Sequence, residues 1–161
     1  KAGLPEEDLA EAIQALKDAE AEQEKTAARN ALAAAITSGD IGRLRDALQR
    51  AGDLGLDESE MDAARKALEQ AEAKAAARAG LHDALNGASL ADINASLQAA
   101  ESAGLTDEAD QLLIDAVRKK AAQEQAKRDL EEALSSQDPA KIREALVKAG
   151  EAGINANALQ D

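Results

Sequence analysis

The sequence predicts an all-α protein of tandem long-helix/short-helix repeats, 49 residues each, packed as three-helix bundles that share continuous helices. Three observations lead there. The 161 residues include 42 Ala and 20 Leu, strong helix formers, but only two Val, three Thr and no aromatic residue from which to build a sheet. A shift of 49 residues superimposes Leu32, Leu81 and Leu130, then Ile36, Leu85 and Leu134, Leu44, Ile93 and Ile142, Leu48, Leu97 and Leu146, and finally Gly55, Gly104 and Gly153. Helix-capping residues recur at the same offset, with Asp40, Ser89 and Asp138 before the short helices and Asp57, Thr106 and Asn155 before the next long ones.

The elements follow in order. A long helix is expected over residues 5–37, its pattern stretched because Leu4 and Leu16 precede Leu56 and Leu68 by 52 residues rather than 49. The three extra residues are nearly one helical turn, so the apolar face is roughly preserved. Residues 40–52 form the short helix in "SGDIGRLRDALQRAGDLGLD", with Asp40 as cap, Leu44 and Leu48 on its apolar face, and Gly55-Leu56 closing it. The second long helix, residues 57–87, starts with a capping-box pattern of Asp57 and Glu60. It holds Leu68, Leu81 and Leu85, separated by the polar and alanine-rich run "EQAEAKAAARAG". Ser89 caps a short helix over 89–102 that carries Ile93 and Leu97 and ends before Gly104-Leu105.

Thr106 is expected to cap the third long helix, residues 106–136, where "RKKAAQEQAKRD" again separates the large side chains. Asp138 caps the last short helix, residues 138–151, and Pro139 takes the favoured first position. The repeats accordingly span 1–52, 53–101 and 102–152, and "GINANALQD" over 153–161 restarts the pattern as a fourth. That restart, with a first residue of Lys rather than Met, reads as a segment of a longer array.

Because large hydrophobes gather at the ends of the long helices, each core should combine the end of one, the following short helix and the start of the next. For the central bundle this means Leu81, Leu85, Leu90, Ile93, Leu97, Leu105, Leu112, Leu113 and Val117. Bundles that share an uninterrupted helix resemble spectrin repeats in arrangement, which implies an elongated, mechanically continuous scaffold. Spectrin repeats are longer and have core tryptophans, whereas this chain has none. Locally, "LAAAITSGDIGRLRDALQRAG" resembles the helix-turn-helix of ankyrin repeats, but the Thr-Pro-Leu-His signature is missing and the period is longer. The alternative architecture is an α-solenoid, in which Ala71 and Ala75, or Ala121, Ala122 and Ala126, line close helix contacts.

Net charge is −13, which repels phosphate backbones and anionic lipid heads, and the lack of aromatics removes stacking platforms for single-stranded nucleic acid. No apolar run reaches the length of a membrane span. The expected partners are proteins or neighbouring repeats of the same chain, with no nucleic acid and no membrane insertion. Zero cysteine excludes disulfides and thiol chemistry.

The residues that could carry chemistry each have a plainer role. His82, the only histidine, is matched by Ala33 and Glu131 at the repeat offset, a helix-surface position. The acidic run "DLGLDESEMD", Asp53 to Asp62, lacks the glycine and glutamate register of a calcium loop and suits capping and first-turn charge. Arg118, Lys119 and Lys120 with Lys127 and Arg128 form the densest basic patch, where Glu124 can pair with Lys127 or Arg128. Asn94-Ala95-Ser96 matches a glycosylation sequon inside a short helix.

No catalytic, cofactor-binding or metal-ligating residue is nominated, and no cofactor is expected. The sequence therefore points to a non-catalytic structural or scaffold segment acting as a spacer or protein-interaction surface. The alternatives are an enzyme using carboxylate and lysine chemistry, for which no unique constellation stands out, and an engineered repeat without natural function. Against an engineered origin stand the divergent surfaces, the three-residue insertion, and Gly42 and Gly80 inside helices.

Overall fold

Long and short helices alternate throughout the computed structural model, which describes residues 6–154. They are α1 (Glu6–Ser38), α2 (Ile41–Asp53), α3 (Glu58–Leu85), α4 (Leu90–Ser102), α5 (Glu108–Ser136) and α6 (Pro139–Glu151), with no strand among the described residues. The fold is all-α, and its packing is consistent with a helical repeat or bundle. Two units are distinguished by their packing, Lys1–Glu72 and Ala73–Asp161, and the division falls within α3.

Local chemistry sets the turns. Asp40 accepts from the backbone N–H of Arg43, Asp138 accepts from that of Ala140, and Ser89 forms a full capping box with Asp92. Each short helix ends the same way. Leu56, Leu105 and Ile154 donate their N–H to the carbonyls of Ala51, Ala100 and Ala149 at 3.0, 3.2 and 2.9 Å. Between them Gly55, Gly104 and Gly153 take φ of +67°, +65° and +78°, a left-handed conformation that costs glycine nothing. This is the Schellman closure, and its following hydrophobe is buried in all three cases. At the end of α5 the left-handed residue is Gln137 instead, at φ 54°.

In the first unit Ala28, Leu32 and Ala35 of α1 pack with Leu44, Ala47 and Ala51 of α2, and Leu56, Met61 and Ala64 complete the core. In the second unit, Ala77, Leu81 and Ala84 of α3 pack with Ile93 and Ala100 of α4, Leu105, and Ile114 and Val117 of α5. Further along α5, Ala126 joins Ala149 and Ile154, while Leu130 and Ala133 join Ala145. Thus α5 serves the α3–α4 core with its first half and α6 with its second.

Three expectations need correction. Leu112, expected in the core, is 67% exposed, and Ile114 is buried in its place. At 100° per residue, Asp110, Ile114, Val117 and Ala121 share the inward face of α5, and Leu112 lies nearly opposite Ile114. Ile36 and Leu134 are exposed, and Leu85 packs only half-buried against the α3–α4 core: the fully buried position is the alanine before each, Ala35, Ala84 and Ala133. Helices that approach through alanine leave the larger neighbour at the rim. Finally, Asp107 rather than Thr106 is the N-cap residue of α5, and it makes no side-chain capping bond. Asp57 does precede α3, where its N–H donates to Glu60 Oε2 at 3.1 Å. Asn155 lies outside the described residues.

Candidate functional site

The shortest polar links between long helices are made by arginines. Arg29 of α1 donates through Nε to Glu60 Oε1 of α3 at 2.6 Å. Arg78 stands 49 residues later on α3 and reaches α5 in the same manner. Its Nε and Nη2 donate to Asp110 Oδ1 and Oδ2, both at 2.7 Å, and Nη2 also reaches Asp107 Oδ2 at 3.3 Å. Asp110 is the one buried charged residue among those described, and Met61 stands 49 residues before it. A planar guanidinium fork matches a carboxylate in this two-point geometry.

Hydrogen bonding from Arg78 holds the Asp110 carboxyl below its usual range, against burial, which pushes it up. Glu60 is likewise lowered, first by its hydrogen bond from Arg29 and then by the Asp57 N–H. A third link, from Arg45 of α2 to Glu72 of α3, is 2.6 Å long. In the second unit, Lys120 Nζ donates to the Leu85 carbonyl at 2.7 Å and Gln123 Nε2 to that of Ala152 at 3.2 Å. Both satisfy orphan carbonyls near helix ends. No buried side-chain nitrogen or oxygen among the described residues lacks a partner.

Residues singled out in the sequence are not drawn together. His82 is exposed in the last turn of α3. Within the acidic run, Asp57 precedes α3 and donates its N–H to Glu60, Glu58 pairs with Arg65, Glu60 binds Arg29, and Met61 is buried. The basic patch is dispersed: Arg118 pairs with Asp115 at 3.4 Å, Lys120 turns to Leu85, and Lys127 meets Glu124 at 3.2 Å. The sequon lies within α4, where the Ser96 hydroxyl donates to the Ile93 carbonyl. No group of three or more His, Asp or Glu among the described residues could hold a metal ion. None of the described helices is long and apolar enough to cross a membrane.

The concave features are shallow grooves between paired helices, and they recur with the sequence period. Ala73, Ala77, Gly80 and Ala103 line one between α3 and α4, and Ala122, Ala126, Asp129 and Ala152 line its equivalent between α5 and α6. Small apolar linings in the first give way to charge in the second. The cross-helix arginines were not anticipated from the sequence, although the 49-residue spacing of Arg29, Arg78 and Lys127 carried the signal.

Compared with known proteins, the chain matches no family model, no curated protein and no solved structure.

Proposed function

We propose that this chain is a non-catalytic structural segment, a spacer or scaffold of helical repeats that also offers helix surfaces to protein partners. The observation that carries this reading is the division of labour along α5: Ile114 and Val117 serve one core, and Ala126, Leu130 and Ala133 serve the next. A helix used in this way makes the folding of adjacent cores interdependent, which suits a module that bears load or holds spacing. The bridging arginines and acids support the same reading, because their charges are spent on joining helices.

The test is Ala122→Pro, at an exposed position midway along α5. Proline removes one backbone donor and clashes with the preceding turn, about 3 kcal/mol in a helix interior. If α5 couples its two cores, thermal unfolding followed by circular dichroism should split into two transitions. A single transition of unchanged sharpness would overturn the proposal.

A further inference from the structure

The first half of α1 presents an apolar stripe that nothing in the described structure covers: Leu9 and Leu16 are 49% and 59% exposed, and Ala12, Ala15 and Ala19 are also exposed. Each has a counterpart 52 residues later on α3, namely Met61, Leu68, Ala64, Ala67 and Ala71. All five counterparts pack into the core formed by the α1–α2 hairpin. The stripe on α1 thus has the pattern of a third helix, with no hairpin packed on it among the described residues.

Among the described residues, the α5–α6 hairpin offers the complementary surface. It is the equivalent of α1–α2, displaced by 98 residues, with Ala126, Leu130, Ala145 and Ala149 in place of Ala28, Leu32, Ala47 and Ala51. Where α1 and α2 join one core with α3, the hairpin residues form two small clusters among the described residues. Leu48 is half-buried against the first core, but its counterpart Leu146 is 49% exposed.

Charge fits the same pairing. In the first unit Arg29 binds Glu60 and Arg45 binds Glu72 across the hairpin and its third helix. Moving the basic partners forward by 98 residues gives Lys127 and Arg143, and moving the acids back by 52 gives Asp8 and Glu20. Both pairs keep their sign.

We infer that the first half of α1 docks on the α5–α6 hairpin of a second copy of this chain, with Lys127 opposite Asp8 and Arg143 opposite Glu20. The contact joins two different surfaces, so it propagates head to tail. It rests on the reading of the chain as an assembly module, and it supplies that module's partner.

The experiment is sedimentation velocity over a wide concentration range with interference optics, since the chain has no aromatic residue to absorb. Mass should rise with concentration, and added salt should weaken the association by screening the two ion pairs. Leu9→Asp with Leu16→Asp removes two exposed apolar anchors and should weaken it about a hundredfold, with unchanged helicity and melting. Asp8→Lys should weaken it, and adding Lys127→Glu should restore it. A chain that stays monomeric throughout, or one whose association ignores these substitutions, would overturn the inference. Neither result alters the number of unfolding transitions produced by Ala122→Pro, so failure here is distinguishable from failure of the scaffold reading.

Discussion

Arg78 of α3 and Asp110 of α5 meet through two hydrogen bonds of 2.7 Å, between a guanidinium side chain 40% exposed and a carboxylate almost wholly buried. The pair joins two helices at a position where the residue 49 earlier, Met61, makes a buried apolar contact. Removing the acid leaves a cation that can still turn to water, which limits the damage.

Asp110→Ala is accordingly expected to cost about 1–2 kcal/mol, measured by urea unfolding. Asp110→Met, which imports the residue of the equivalent position, should fall within about 1 kcal/mol of the parent, because burial of the apolar side chain offsets the lost ion pair. A loss as large as that for alanine would mean that the carboxylate itself, not the filled volume, matters at this site.

The same pair predicts a pH dependence. Arg78 lowers the folded-state pKa of Asp110, so its stabilisation is fully present above the unfolded aspartate value of about 3.9 and is lost as pH falls through the lower folded value. Melting temperature should therefore decline below about pH 4, and less steeply in Asp110→Asn. Identical slopes in the two proteins would remove Asp110 from the explanation of acid sensitivity.

Leucines along the chain should differ sharply in their effect. Leu81 is fully buried in the α3–α4 core, so Leu81→Ala is expected to cost about 3–4 kcal/mol. Leu112→Ala should change stability by less than about 0.5 kcal/mol, since that side chain faces solvent. Denaturant titrations of both variants would check the rotational setting of α5.

Capping gives a second contrast. Ser89 accepts from the Asp92 N–H and anchors a reciprocal box, so Ser89→Ala should destabilise by about 1 kcal/mol. Thr106 precedes the actual cap residue of α5, and Thr106→Ala should be close to neutral, within about 0.5 kcal/mol. A comparable loss in both would restore Thr106 to the capping role.

Much of this architecture was legible in the residues. Short-range chemistry decides where helices start and stop, so Asp40, Ser89 and Asp138 marked the entrances and Gly55, Gly104 and Gly153 the exits. The uneven spacing of Leu81, Ile93, Leu105 and Val117 likewise located the central core. Side-chain rotation within a run of neighbouring hydrophobes was less legible. "QLLIDAV" offers Leu112, Leu113 and Ile114 within one turn, and composition does not distinguish the two that face a partner from the one that does not.

No candidate for catalysis or ligand binding emerged in the sequence, and His82, the acidic run, the basic patch and the sequon remain separate features in the fold. The bridging arginines escaped notice because salt-bridge partners 31 and 32 residues apart become neighbours only once a hairpin has folded. What the sequence by itself determined is the all-helical class, the order of long and short helices and the caps of the short ones, because these depend on contacts within a few residues. What only the tertiary structure decided is which alanines form the helix contacts, that Leu112 and Leu134 face solvent, and that Asp110 is buried under Arg78. These depend on how closely two helices approach and at what rotation, and that is set by the combined packing of both partners.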